Sequence, residues 1–408
     1  MNILIVGGGG REHAIMWKLQ QSERAQRIFV APGNAGTARN VNPKDIVAFS
    51  QEHAIDLVVI GPEAPLVGGV VDDLMRAGIQ AFGPTAAAAQ LEGSKAFAKK
   101  FMLEHGIPTA EYGEFDDVKQ AFAFIDSTSY DVVVKADGLA AGKGVIVCDS
   151  KEQAKSAVKA ILQDKQFGVA GAKVVIEERL IGKEASILAF CDGQHVVMMP
   201  PSRDHKRVYD HDEGPNTGGM GAFAPVADIS EDDLNHYKQA IIEPVIQAMA
   251  ARGTPYKGVL YAGLMLTPQG AKVLEFNCRF GDPETQVILP LLDSDLLEIM
   301  LACVAGTLDQ VHVQWKKAAC VTVVMASGGY PGNYSKGVPI LGLDTVEGAM
   351  VFHAGTSRSE SGDIVTSGGR VLAVSAIGDT LQQALNNAYT NVEKIHFDGA
   401  HYRHDIGK

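Results

Sequence analysis

Residues 272–286 read KVLEFNCRFGDPETQ, a run that begins as a strand and ends in a turn crowded with charge. With a period of two, Leu274, Phe276, Cys278 and Phe280 fall on one face, and Glu275, Asn277 and Arg279 fall on the other. An acid, an amide and a guanidinium in register suit either open water or a ligand. Glu275 and Asn277 are hard oxygen donors at i and i+2, side by side, the pairing that suits a Mg²⁺ ion shared with waters and phosphate oxygens. Arg279, one step on, is placed to meet negative charge on a transferring phosphoryl group or an acyl phosphate. Asp282 and Glu284 prolong the polar set into the turn. The plain alternative is a half-exposed strand with a surface ion pair, and features far upstream weigh against it.

The first of these is VVVKADGLAAGKGVIV (132–147), which sets Lys135 at the end of one strand and Gly138, Gly142, Lys143 and Gly144 ahead of the next. Such a hairpin lays backbone N–H groups over a polyphosphate, with lysines as mobile point charges. It is not a Walker A loop, because the order of Gly, Lys and Ser/Thr is wrong and a strand follows. Next, VVIEERLIGKEAS (174–186) carries Glu177, Glu178, Leu180 and Glu184. Its backbone near 177–180 suits an adenine edge, and Glu184 suits ribose hydroxyls. Read alone, such an acidic strand end is a solvated face. The loop 203–221 gathers Arg203, Asp204, His205, Lys206 and Arg207 ahead of GPNTGG, and loops of this length inside compact domains are commonly functional.

Composition sets the frame. The chain has 408 residues, 46% of them hydrophobic, which is more than one core accommodates, so several domains are expected. A net charge of −12 speaks against nucleic acid or an anionic membrane as partner, and any phosphate site must be a local gathering of cations and backbone N–H groups. The five cysteines (148, 191, 278, 303 and 320) are scattered and never in C-x-x-C, which fits neither a disulfide framework nor a zinc ribbon. MNILIVGGGG lacks the basic region and apolar length of a signal peptide, and no uninterrupted apolar run reaches membrane-spanning length. The expectation is a soluble, cytoplasmic protein.

Over residues 1 to about 95, the runs NILIV, RIFVA, DLVVI and IQAF alternate with helical segments and end in glycine or proline turns, the pattern of a parallel α/β sheet. Ligands in such sheets bind at the carboxyl ends of the strands. The glycines at 7–10 invite a dinucleotide reading, but G-x-G-x-x-G fails at Glu12 or His13, and RIFVA ends in Ala31-Pro32 where an acid would hold a ribose. A nicotinamide-dependent oxidoreductase is therefore disfavoured. A non-catalytic nucleotide-binding module is disfavoured too, since Lys135, Glu275, Asn277 and Arg279 would then have no phosphoryl chemistry to perform. Four glycines opening a helix still suit a phosphate or carboxylate.

Taken in order, GGGGREHA (7–14), APGNAGT (31–37), IGPEAPL (60–66), LEGSKAF (91–97), KADGLAAGKGV (135–145), VIEERLIGKEAS (175–186), DHKR (204–207), GPNTGGMGAF (214–223), LEFNCRFGDPETQ (274–286) and VFHAGT (351–356) resemble the ATP-grasp ligases, and within them the phosphoribosylamine–glycine ligase family. The resemblance implies a multi-domain α/β and α+β fold. It would comprise an N-terminal Rossmann-like parallel sheet (1–96), an ATP-grasp core (97–316) with a mobile lid at about 112–182, and a small C-terminal α/β domain (317–408). It implies that Lys95, Lys135, Gly142, Lys143 and Gly144 contact ATP phosphates, that Glu177, Glu178, Leu180 and Glu184 bind adenosine, and that Glu275 and Asn277 ligate Mg²⁺ or Mn²⁺. Gly9, Gly10, Asn34 and Glu63 would hold phosphoribosylamine. Asp204, Arg279, Asp282 and Glu284 would face glycine and the acyl phosphate, with Arg279, Lys135 and Asp204 as catalytic groups. The implied partners are small molecules, together with transient contact with the enzyme that makes phosphoribosylamine. One departure is Arg203, where the family more often carries Gln.

Overall fold

The computed structural model describes residues 1–139, 144–166 and 168–408. Strands β1 (Asn2–Gly7), β2 (Arg27–Pro32), β3 (Leu57–Ile60) and β4 (Gln80–Phe82) form a parallel sheet in the order β2-β1-β3-β4. Ile3, Leu4 and Ile5 are all fully buried, as expected of a parallel strand covered on both faces. Helix α1 (Gly10–Leu19) follows β1 directly, and α2 (Lys95–Glu104) leaves the sheet with Ser94 as N-cap.

A separate antiparallel sheet comes next: β5 (Tyr112–Phe115), β6 (Val132–Ala136), β7 (Val145–Val147) and β8 (Val174–Glu178), ordered β5-β8-β6-β7. Helices Val118–Ser127 and Lys151–Leu162 pack on it through Ala121, Ile125, Ala154 and Val158, giving this unit a core of its own. It coincides with the stretch expected to form the lid.

The chain then runs through β9 (Lys183–Asp192), β10 (Val196–Met198), the short β11 (Arg203–Asp204), β12 (Gly221–Ala224) and the hairpin β13 (Lys257–Thr267) and β14 (Gly270–Asn277). One sheet is β10-β9-β13-β14. β11 and β12 leave it and join a five-stranded sheet with β15 (Ala319–Ala326), β16 (Met350–His353) and β17 (Arg370–Gly378), ordered β11-β12-β15-β17-β16. Residues 203–204 and 221–224, within the stretch expected to belong to the central domain, therefore pair with the C-terminal strands, while residues 207–209 and 213–216 between them form a two-stranded sheet of their own. No described helix is long and apolar enough to cross a membrane. All five cysteines are buried and unpaired.

The period-two reading of 272–286 needs one correction. Phe276, Cys278 and Phe280 are buried as expected, but a bulge opposite Gly263 and Leu264 takes Leu274 out of the ladder, and Val273 is the fully buried residue in its place. A bulge inserts one residue and so shifts the alternation.

Candidate active site

The carbonyl of Leu274, the residue the bulge leaves without a partner in the register, accepts from Lys135 Nζ at 3.2 Å. Lys135 ends β6 and is 6% exposed; its ammonium also lies 2.9 Å from Glu177 Oε1, on the adjacent β8. Glu177 Oε2 lies 2.9 Å from Lys99 Nζ, and Lys99 in turn donates to Thr109 Oγ1 at 2.7 Å. Burial pushes the Lys99 ammonium down to about 8 against the pull of Glu177. Burial also opposes charge on Glu177, but Lys135 and Lys99 outweigh it and hold the carboxyl below its usual range. Glu177, expected at adenosine, stands between two lysines, and its carboxylate orients Lys135. Glu178 pairs instead with Lys272 at 3.3 Å. Leu180 follows β8 and is half-buried.

Lys95, on the first turn of α2, donates to the Gly138 carbonyl at 3.1 Å. Ser94 Oγ donates to Asp137 Oδ1 at 3.0 Å, which ties this helix end to the end of β6. Burial lowers the Lys95 pKa, with Glu275 and Lys135 the strongest charges acting on it, so Lys95, Lys135 and Glu275 form one electrostatic group. The Gly144 carbonyl accepts from the Ala136 N–H at 2.8 Å, closing the hairpin base. Gly142 and Lys143 lie outside the described residues.

At the end of β14, Arg279 sits between two carboxylates, 2.9 Å from Glu92 Oε1 and 3.3 Å from Glu63 Oε2, and donates to Asn277 Oδ1 at 3.0 Å. Burial raises the Glu63 pKa, but Arg279, a backbone hydrogen bond and Arg11 together outweigh it and hold the carboxyl below its usual range. Glu63, expected at phosphoribosylamine, is therefore paired with Arg279, and Arg279 holds the β14 terminus to the N-terminal segment. Glu284 is 2% exposed; its Oε1 accepts from Tyr261 Oη at 2.7 Å and Ser186 Oγ at 3.0 Å. Burial and Asp204 raise its pKa. Across the site, Lys206 Nζ reaches Glu184 at 2.6 Å and Asp204 at 2.8 Å. Burial opposes charge on Lys206, but these two acids keep it strongly protonated. Arg203 Nε donates to the Glu184 carbonyl at 2.7 Å, so the residue that departs from the family pattern supports the strand carrying Glu184.

The N-terminal loops are tightly organised by contacts within the chain. The Gly9 N–H donates to Glu12 Oε2 at 2.7 Å, a capping interaction at the start of α1. A Cβ on Gly61 would lie 2.0 Å from Glu12 Oε1, and one on Gly10 would lie 2.6 Å from Gln286 Nε2. These glycines make room for neighbouring side chains as much as for a ligand. Asn34 Nδ2 donates to the carbonyls of Gly8 (3.0 Å) and His353 (2.7 Å), while its Oδ1 accepts from the Gly36 N–H (2.9 Å), so its amide is committed to organising the loop. Asp282 accepts from Gln286 Nε2 at 2.7 Å and pairs with Arg370 at 3.2 Å.

Sequence reading missed Lys99, Glu92, Arg11, Tyr261 and Arg370. Only Lys99 left a signal, since SKAFAKK places it at i+4 from Lys95 on one helix face. Arg11 Nη1 donates to the Phe280 carbonyl at 3.1 Å, a partner 269 residues away that no local pattern announces.

A lid-like antiparallel unit set against a sheet whose edge strand carries Glu275 and Asn277, with two lysines between them, defines an ATP-grasp enzyme. Models of the phosphoribosylglycinamide synthetase family match along the chain: its N domain at residues 1–92, its ATP-grasp (A) domain at 93–285 and its C domain at 320–408. The chain belongs to that family. It is 52% identical to the phosphoribosylamine–glycine ligase of Vibrio vulnificus, covering all of this chain and 98% of the relative. It is 54% identical to the trifunctional purine biosynthetic protein adenosine-3 of Gallus gallus, over 99% of this chain, and spans 42% of that protein's length. Among solved structures, the phosphoribosylamine–glycine ligase of Thermotoga maritima aligns over the full length of both chains with a TM-score of 0.89 and 36% identity. A biotin carboxylase domain from Hydrogenobacter thermophilus shares the fold, with a TM-score of 0.76 over 98% of this chain at 15% identity.

Proposed function

We propose that this enzyme joins glycine to 5-phosphoribosylamine at the expense of ATP, giving glycinamide ribonucleotide, ADP and phosphate in purine biosynthesis. The glycine carboxylate takes the γ-phosphoryl group, forming glycyl phosphate and ADP. The amine of phosphoribosylamine then attacks the acyl carbon and displaces phosphate. The observation that carries this reading is the grouping of Lys95, Lys135 and Glu275, brought together from three separate segments. Lys95 and Lys135 neutralise the polyphosphate, with Lys135 aimed by Glu177 and the Leu274 carbonyl. The antiparallel unit excludes water, which would hydrolyse glycyl phosphate before the amine reaches it. The backbone near Leu180 receives adenine and Glu184 the ribose. The first turn of α1 and the adjoining loops receive the phosphorylated amine.

Glu275 and Asn277 stand side by side on β14 as two hard oxygen donors, a set that fits Mg²⁺ or Mn²⁺ and would hold it at this end of the strand. When bound, the ion neutralises charge on the transferring phosphoryl group. Glu275→Ala and Asn277→Ala are each expected to raise the Mg²⁺ concentration needed for half-maximal turnover by at least about tenfold, with the far-UV spectrum unchanged. Wild-type Mg²⁺ titration curves would sink the assignment. The cytoplasm, where thiols stay reduced, is the compartment this reading implies, and the supplying enzyme is expected to make transient contact to pass on its short-lived product. The direct test is ADP release from ATP on mixing with glycine and freshly made phosphoribosylamine. Release that ignores either substrate, or no release with both, excludes the ligase.

A further inference from the structure

Arg370 lies outside every stretch the sequence marked for chemistry, yet its guanidinium reaches the central turns. Nη1 donates to the carbonyls of Gly218 (2.6 Å), Gly219 (3.3 Å) and Asp282 (2.8 Å), and Nη2 lies 3.2 Å from Asp282 Oδ2. The Gly218 N–H donates to the Tyr330 hydroxyl at 3.1 Å, so two residues of the C-terminal segment grip one glycine turn. The fit is close: a Cβ on Gly218 would lie 2.9 Å from Arg370 Cζ, and one on Gly219 would lie 2.4 Å from Pro283 Cδ.

What the grip holds matters more than the grip itself. Asp282 Oδ2 lies 3.4 Å from where a Cβ on Gly9 would stand, and its Oδ1 accepts from Gln286, whose Nε2 abuts Gly10. Asp282 therefore overhangs the first turn of α1. An uncompensated carboxylate there would repel a phosphorylated substrate. Arg370 supplies the largest share of the compensating charge: burial alone would raise the Asp282 pKa, and Arg370, together with Arg11, the Gln286 hydrogen bond and Arg279, reverses this.

We propose that Arg370 is a positioning residue for the ligation, contributed by the C-terminal domain, which locks the Gly218–Gly219 turn to Asp282 and cancels its charge beside α1 so that the phosphorylated amine is accepted. The proposal rests on assigning the α1 loop to that substrate. A purely structural role for Arg370 would weaken all substrates alike, whereas this one acts on a single substrate.

The test compares Arg370→Met, Arg370→Lys and Arg370→Met/Asp282→Asn with wild type. Arg370→Met should raise KM for phosphoribosylamine by about tenfold to a hundredfold, the range of lost charge-assisted hydrogen bonds, with KM for ATP little changed. Arg370→Lys should recover part of the loss, and adding Asp282→Asn should recover more, because the repelling charge is gone. Calorimetric titration with ribose 5-phosphate, which needs no turnover, should show the same weakening. Were wild type to lack glycine-dependent ADP release, the ligase reading would fall, while the ribose 5-phosphate titration would still judge Arg370. If Arg370→Met does not fold, Arg370→Lys carries the same split between KM values. Equal rises in both KM values, unchanged values, or a deeper defect on adding Asp282→Asn would each overturn the proposal.

Discussion

Replacing Glu177 with glutamine is expected to destabilise the protein by about 3–5 kcal/mol near neutral pH, the loss that follows when one partner of a buried ion group is removed. Glu177 is 2% exposed and stands 2.9 Å from both Lys99 Nζ and Lys135 Nζ, with Lys99 itself 2% exposed. A neutral amide leaves two ammonium groups facing each other in a dry place. The system has one escape, which is to release the Lys99 proton. That group already sits at about 8, and losing Glu177 moves it lower still. The sign follows from proton counts. In the variant, folded Lys99 is neutral at pH values where the unfolded chain still binds a proton, so stability rises with pH until about 10.4. The measurement is the urea midpoint of wild type and variant at pH 7 and pH 9. The gap should be wide at pH 7 and narrower at pH 9, and a variant within about 0.5 kcal/mol of wild type at pH 7 would refute the arrangement. Turnover should fall as well, since Lys135 loses the carboxylate that aims it.

The second large effect concerns acid. His13, on α1, accepts the His353 backbone N–H at Nδ1 (2.8 Å), which requires a lone pair on that nitrogen and hence a neutral ring. His353 Nδ1 contacts Thr356 Oγ1 at 3.1 Å, and Gly36 packs between the two imidazoles, leaving no space for a Cβ. Burial, then the neighbouring histidine, pushes His13 down to about 3; burial, then Arg358, pushes His353 down to about 4. Both folded values lie below the unfolded one, so the unfolded chain takes up protons first and stability is lost as pH falls from about 6.5. At pH 5 this is about 2 kcal/mol for each ring, or about 4 kcal/mol together, at about 1.4 kcal/mol per pH unit. The contact between α1 and β16 should therefore weaken on mild acidification. Comparing thermal midpoints of wild type and His13→Gln at pH 7.5 and pH 5 isolates the term: the variant should lose less on acidification. Equal losses in the two proteins would exclude it.

Part of the site was legible because some chemistry depends on neighbours in sequence. Glu275 and Asn277 lie at i and i+2 of one strand, so their shared face follows from backbone geometry alone. Lys135 and the glycines after it are read as a phosphate hairpin on the same local ground. Contacts that depend on what lies across the fold are not legible in the same way. Asn34 was read as a substrate ligand, yet its amide bridges Gly8, Gly36 and His353. Glu63 was read likewise and is neutralised by Arg279. Glu177, expected at adenosine, also pairs with Lys99 and Lys135. In each case a partner remote in sequence engages the side chain, which no local pattern announces.

By itself, then, the sequence determined the N-terminal parallel sheet, a small α/β unit over about 112–182, the polar end of β14 and the class of chemistry. These follow from apolar periodicity, turn residues and closely spaced functional groups, all local properties of the chain. Tertiary structure alone decided the bulge at Leu274, the pairing of residues 203–204 and 221–224 with the C-terminal strands, and the reach of Arg370 into the turn at Asp282. Strand pairing and buried ion partners are settled by which surfaces meet, and burial makes an unpaired charge or carbonyl so costly that the partner is found wherever in the chain it lies.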